Sequence, residues 1–169
     1  FGELPFSSGQ KYREIERIPP ITVAGKKISF TRYPGSDDIN VHVMDGFDPA
    51  MVEVLNKMQP LGTVFLMTRR EISSVQDLQL LRDVPMQGLS LSGPFTDEHI
   101  KALAGHASIE GLSLSKARIT DAGIDTLSTL PSLNRLTIDY ADLTDAGVTK
   151  IATLENLTSL SFFMCPHIT

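Results

Sequence analysis

The chain has 169 residues, a length that favours a single domain. Acidic residues outnumber Lys and Arg by 20 to 15, so the basic surface typical of nucleic-acid-binding proteins is missing. No apolar run is long enough for a membrane-spanning helix, and a single cysteine excludes an internal disulfide.

The first 38 residues differ in pattern from the rest of the chain. Residues 11–18 have amphipathic spacing before Pro19 and Pro20, which predicts a short helix that ends there. Residues 21–23 and 27–31, joined by Ala24-Gly25, predict a β-hairpin. We expect this helix and hairpin to form an N-terminal cap that shields the apolar side of the following segment. The alternative is that residues 1–38 are the end of another domain.

From about residue 39 onwards, apolar residues recur with a period near 24, most clearly in residues 109–156. In the first of these two copies, Leu112 and Leu114 alternate as on a strand with one buried face. Ile124 and Leu127 are then spaced as on one face of a short helix. Between strand and helix stands Thr-Asp-Ala-Gly, which predicts a helix start, because Thr suits the N-cap and Asp complements the helix dipole.

Looser copies begin at Leu61 and Met86, another extends from about residue 39, and a truncated copy begins at Leu157. Five full copies and one fragment therefore account for residues 39–169. A fixed period of this length predicts a solenoid, in which stacked copies bury their apolar side chains against one another. We predict an α/β solenoid with six parallel strands in a curved sheet on the concave face and short helices on the convex face.

This repeat resembles that of leucine-rich repeat proteins, in the 24-residue form with Ile-Thr-Asp-Ala-Gly found in many bacterial proteins. The motif stands at residues 119–123 and returns at 143–147 with Leu in place of Ile. The last segment, residues 160–169 with Cys165, resembles the cysteine-containing variant of F-box proteins. The resemblance covers residues 39–169. It implies a bacterial protein. The sequence leaves its location open between the cytoplasm and export after removal of an N-terminal segment.

The two ends of the chain indicate a piece of something longer. The chain begins at Phe1 rather than Met, and it stops at Thr169, where the pattern predicts another helix. We therefore expect a fragment of a longer array or of a multidomain protein. An uncapped last repeat would also permit end-to-end self-association.

On each predicted strand, the residues that flank the buried pair should face the solvent. Across the strands they form three columns, namely Asn40, Thr63, Gly88, Gly111, Arg135 and Ser159, then His42, Phe65, Ser90, Ser113, Thr137 and Ser161, then Met44, Met67, Ser92, Ser115, Asp139 and Phe163. The middle of this face consists of small residues. The more distinctive side chains lie toward its two ends.

Two candidate contact patches follow from these columns. An apolar patch near the N-terminal end, unless the cap or a loop covers it, would consist of Met44, Phe65 and Met67. A mixed patch toward the other end, unless further repeats continue over it, would consist of Arg135, Asp139, Tyr140 and Phe163. A peptide or a protein is the natural ligand for such a surface, although no motif reveals which one.

No residue pattern indicates catalysis or a metal site. The four histidines are scattered, and we take them as surface or loop residues, with His99 and His106 on one predicted helix. The recurring Asp97, Asp121 and Asp145 are explained by capping of helix amino ends. Gly123 and Gly147, inside predicted helices, indicate places where neighbouring backbones come too close for a side chain.

We therefore predict a non-catalytic scaffold that binds a protein or a peptide on the concave face, without cofactor or metal. The alternative is the substrate-recognition arm of a larger protein, such as an F-box-like adaptor, an effector or a signalling enzyme. Its catalytic or adaptor part would then lie outside this chain. We expect neither nucleic acid nor a membrane as partner.

Overall fold

The computed structural model describes residues 15–44, 47–67 and 74–169. Within these ranges the protein has an α/β fold with one open sheet, whose eight strands lie side by side in chain order. The strands are β1 (Glu16–Val23), β2 (Lys26–Arg32), β3 (Ile39–Met44), β4 (Leu61–Met67), β5 (Gly88–Ser92), β6 (Gly111–Ser115), β7 (Arg135–Asp139) and β8 (Ser159–Phe163). The helices are α1 (Met51–Lys57), α2 (Val75–Gln79), α3 (Asp97–Lys101), α4 (Asp121–Leu127) and α5 (Asp145–Ile151). A bilayer-spanning helix, which must be both long and apolar, does not occur in the ranges given above.

Strands β3 to β8 are parallel, and each pairs with the next. The register places Leu114 between Leu91 and Ile138, and Ser113 between Ser90 and Thr137. Leu114 is fully buried, whereas Ser113 is only half-buried. The predicted run of six parallel strands is therefore confirmed in the described part of the chain, and burial alternates as predicted along β6 and β7.

One apolar cluster joins the sheet to the helices. It contains strand residues such as Leu91 and Leu114 together with helix residues such as Ile100 and Ile124. Burial decreases toward β8, where Leu160 is 41% exposed, because β8 pairs on one side only. Since the helices contribute to this cluster, the other side of the sheet remains open. We call that side, formed by the three columns of alternate residues, the open face.

The N-terminal hairpin extends the sheet with two antiparallel strands. β1 pairs with β2, and β2 pairs with β3, so the predicted hairpin is confirmed and is longer than expected. The helix predicted over residues 11–18 is wrong for residues 16–18, which belong to β1, and residues 11–14 lie outside the described ranges. A strand forms because Ile18 pairs with Phe30, and because Pro19 and Pro20 lie at a bulge on an edge strand, which tolerates proline.

The hairpin also contributes to the core. Ile28 and Phe30 of β2 are buried within the apolar cluster. The ladder between β2 and β3 continues the sheet across the predicted boundary at residue 38. The division of the chain into a cap and a repeat domain at that position stays a prediction.

From the copy that begins at Met86 onward, an Asp at the start of a helix connects each sequence repeat to the next. The Asp121 carboxylate accepts hydrogen bonds from the backbone N–H and the hydroxyl of Thr144, at 3.0 and 2.6 Å. The same two bonds join Asp97 to Thr120 and Asp145 to Thr169. The Thr144 hydroxyl also accepts a bond from the N–H of Ala146, so its predicted N-cap role is confirmed. We call this arrangement the Asp–Thr clamp.

The glycines of these segments make room for the clamp. A Cβ on Gly147 would meet the Oδ1 atom of Asp121 at clashing distance and would lie 3.3 Å from Leu143. A Cβ on Gly123 would meet the Asp97 carboxylate in the same way. The prediction that neighbouring backbones approach these glycines is therefore wrong, since the close neighbour is a hydrogen-bonded side chain. The Asp of one repeat thus packs against the Gly of the next repeat, in space that any side chain at the glycine position would occupy.

The clamp gives stability an acid dependence. The hydroxyl and N–H of Thr144 lower the pKa of Asp121 below its ordinary value of 3.8, and the N–H and hydroxyl of Thr169 lower the pKa of Asp145. The stabilisation that these two carboxylates contribute is complete at pH values above the ordinary pKa. It is lost as the pH falls through their lower pKa values in the folded protein. In urea denaturation near neutral pH, the Asp121→Asn variant should therefore have a lower free energy of unfolding than wild type. The difference between the two free energies should become smaller in acid.

Asp142 provides a control for this experiment. Its side chain is exposed in the loop between β7 and α5. For Asp142→Asn, the difference in free energy of unfolding from wild type should not become smaller in acid. If Asp121→Asn lowers the free energy of unfolding equally in acid and near neutral pH, the negative charge of the carboxylate does not contribute to the Asp–Thr clamp.

Candidate binding surface on the open face

The open face has a depression at its centre. The depression has a volume of about 310 Å³ and is lined by Thr63, Phe65, Gln87, Gly88, Leu89, Ser90, Gly111, Leu112, Ser113, Arg135 and Thr137. Its floor consists of the small residues of β5 and β6, because two glycines and two serines project little from the sheet. Phe65 of β4 and Arg135 of β7 stand on opposite sides. We call this feature the central depression.

One wall is a stacked pair of rings. The rings of His42 and Phe65 lie nearly parallel, with centroids 4.6 Å apart and an interplanar angle of 4°. The Nε2 atom of His42 lies 3.0 Å from the Thr31 hydroxyl oxygen, on the hairpin. Burial lowers the pKa of His42, so the neutral ring is the form that stacks near neutral pH. The hairpin thus positions the ring of His42 through Thr31, and the ring of His42 packs against that of Phe65.

The opposite wall is the side chain of Arg135. Its guanidinium leans over Gly111, where an added Cβ would lie 3.5 Å from the Arg135 Nε atom. The nearest carboxylate oxygen of Glu110 is 3.7 Å from a terminal nitrogen of Arg135, and the Arg135 side chain is 58% exposed. An exposed ion pair of this length is weak. The guanidinium therefore keeps donors available to a ligand above the floor.

The three residues of the apolar patch predicted near the N-terminal end lie on the neighbouring strands β3 and β4. Met44 ends β3, lies opposite Met67 in the register, and is exposed. The placement of the Met67 side chain lies outside the described part of the chain. Phe65, in contrast, stacks on His42 and belongs to the central depression. Partner contact by these three residues stays a prediction.

The mixed patch is divided. Arg135 begins β7 and Asp139 ends it, so they lie at opposite ends of the strand. At the carboxyl ends, the exposed rings of Tyr140 and Phe163 pack edge to face with centroids 6.0 Å apart. Tyr140 follows β7 directly and has a positive φ of 57°. Asp139, Tyr140 and Phe163 therefore form a cluster of their own, and a binding role for it stays a prediction.

Asn40 does not face the solvent as its column predicts. It is 7% exposed, and its Oδ1 atom accepts a hydrogen bond from the Thr63 N–H at 2.8 Å. The register shifts at this point, where β3 is one residue short relative to β4. Asn40 thus satisfies a backbone donor that the shifted register leaves free. Asn40 therefore supports the backbone of Thr63, which lines the depression.

His106 has a structural role away from the open face. His106 is 2% exposed, and its Nε2 atom lies 3.1 and 3.2 Å from the carbonyl oxygens of Leu81 and Val84. Its placement on a helix with His99 is wrong, because α3 ends at Lys101 and His106 lies in the following loop. It is a loop residue, as one of the two expected placements has it, but its ring is buried. In the described residues, no three His, Cys, Asp or Glu side chains come together as a metal site.

Sequence columns alone missed the central depression. They placed the distinctive residues at two ends, whereas Phe65 and Arg135 face each other across four small residues. The two Gly-Leu-Ser-Leu-Ser segments were the available signal, because adjacent strands with identical small residues must form a low floor. No protein-family model matches the chain, and no curated protein is significantly similar to it.

Proposed function

We propose that this chain is a non-catalytic binding module of the leucine-rich repeat type, which takes a peptide or a protein segment on the open face. In that type of fold the open face is the concave side of the solenoid. The observation that supports the proposal is the small-residue floor between Phe65 and Arg135. A ring, a guanidinium and a row of hydroxyls within one shallow depression offer apolar, charged and hydrogen-bonding contacts together.

The chemistry of the depression favours binding over catalysis. A serine nucleophile needs a base within hydrogen-bonding reach. The imidazole nearest to the floor is His42, whose Nε2 atom is engaged by Thr31 and whose ring is stacked on Phe65. Ser90 and Ser113 are therefore assigned to hydrogen bonding with a ligand backbone.

Filling the depression tests this function. Ser113→Phe places a ring on the floor, so a protein or peptide that needs this space should lose its binding. Ser161→Phe is the matched control, because Ser161 belongs to the same column but lies on β8. In pull-downs from a lysate of the source cells, wild type and Ser161→Phe should retain the same partner, and Ser113→Phe should retain about tenfold less or none.

Folding must be measured alongside. All three proteins should have the same far-ultraviolet circular dichroism spectrum, since both serines lie on the open face. Undiminished capture by Ser113→Phe would move the binding site away from the depression. Equal losses for both phenylalanine variants would mean that the open face as a whole, and not its centre, is the contact.

A further inference from the structure

We propose that the ligand of the open face is an extended peptide with one ring side chain and one carboxylate about four residues apart. The ring would pack against Phe65, and the carboxylate would bind Arg135. The inference rests on the proposed function and specifies the class of ligand. It is argued from the spacing of the two walls, the charges around Arg135 and the shape of the floor.

The spacing follows from the strand register. Phe65 lies in line with Ser90, Ser113 and Thr137, and Arg135 lies two residues before Thr137. Strands are about 4.8 Å apart and rise about 3.3 Å per residue, so the positions of Phe65 and Arg135 are about 16 Å apart. Because the guanidinium leans toward Gly111 on β6, the separation to be spanned falls to about 12–16 Å. An extended chain covers this distance with about four residues.

The charges predict a single carboxylate. Arg135 is the fixed positive charge among the three columns of the open face, and its guanidinium can bind a carboxylate with two parallel hydrogen bonds. The existing contact to Glu110 is 3.7 Å long and does not use this geometry. Glu110 lies beside Arg135 and carries a negative charge, so a run of acidic residues in the ligand would be repelled there. One acid beside neutral residues fits this environment.

The floor and the ring wall define the remaining chemistry. Gly88 and Gly111 carry no side chains, so a ligand backbone can approach the sheet closely there. The hydroxyls of Ser90 and Ser113 can donate to or accept from its amide groups. The stacked pair of His42 and Phe65 presents an aromatic surface, and aromatic pairs prefer the offset or edge contact that such a wall permits.

A displayed library of random peptides provides the test, with wild-type protein as bait and Ser113→Phe as counter-selection. Enriched peptides should carry one aromatic residue and one Asp or Glu separated by about four positions. For a synthetic peptide from this set, calorimetry should give about tenfold weaker binding after Arg135→Gln in the protein or after acid-to-amide exchange in the peptide. Combining both changes should cost no more than either alone, because the two groups act through one contact.

The control and the contrary outcomes separate the two proposals. Arg118→Gln, at an exposed arginine outside the three columns, should leave the affinity unchanged. Enriched peptides that lack an acid, or whose acid does not couple to Arg135, would overturn the ligand class and leave the proposed function intact. A library in which no peptide prefers wild type over Ser113→Phe would overturn both.

Discussion

Leu114→Ala should lower the free energy of unfolding by about 2–5 kcal/mol. Leu114 is fully buried between Leu91 and Ile138 on the neighbouring strands, so the deleted methyl groups leave a cavity that two adjacent repeats share. Urea denaturation followed by circular dichroism measures this loss. Because each repeat packs on its neighbours, damage at a central position weakens the interfaces on both of its sides.

Two controls make the result informative. Ser113→Ala, one residue away on the open face, should be near neutral, since the side chain is small and half-buried. Leu160→Ala makes the same chemical change at an exposed position of β8 and should cost clearly less. Equal losses at residues 113 and 114 would refute the assignment of the two sides of the sheet.

Gly147→Ala is expected to destabilise the protein by about 1–2 kcal/mol, although Gly→Ala within a helix normally stabilises by up to about 1 kcal/mol. The new methyl group would displace the Asp121 carboxylate, which would then lose its bonds to Thr144. The clamp is exposed to solvent, so the free energy lost with each hydrogen bond is at the low end of the usual range. Urea denaturation of the single variant gives the sign of the effect.

The cause of that loss can be isolated in a second background. Once Asp121→Ala has removed the carboxylate, Gly147→Ala should become neutral or stabilising by up to about 1 kcal/mol. Ala146→Gly, at the exposed neighbouring position of the same helix, should cost about 1 kcal/mol and reports the local helix preference alone. A stabilising Gly147→Ala in the wild-type background would show that the carboxylate moves aside freely.

The strand register could be predicted from the sequence because two periods coincide in it. The period of two residues within a strand assigns Leu112 and Leu114 to the buried side. The period of about 24 residues between copies assigns their partners on the neighbouring strands. Once both periods are known, no choice of register remains. The six parallel strands follow from this pattern alone.

Features that depend on contacts between non-equivalent residues could not be predicted in this way. The amphipathic spacing of residues 11–18 suits a helix in isolation, yet pairing of Ile18 with Phe30 favours a strand in residues 16–18. Asn40 follows its column in sequence, but the shifted register beside β4 turns it inward. In both places tertiary hydrogen bonding outweighs local preference.

The candidate site shows the same limit. Most of its residues lie in the predicted columns, but the sequence does not reveal that His42 stacks on Phe65 or that Arg135 leans over Gly111. These orientations depend on side-chain rotamers and on Thr31 of the hairpin, which lies outside the repeating pattern. Periodicity therefore identifies the surface, and only side-chain packing identifies its centre.

The Asp–Thr clamp has a direction, since the acid always belongs to the earlier copy and the hydroxyl to the later one. Its two residues are 23 positions apart in the pairs Asp97–Thr120 and Asp121–Thr144, and 24 apart in the pair Asp145–Thr169. A tandem duplication of one whole copy would thus bring its own donor and acceptor to each new junction. The chain is therefore built so that duplication of a whole copy can lengthen it without compensating substitutions.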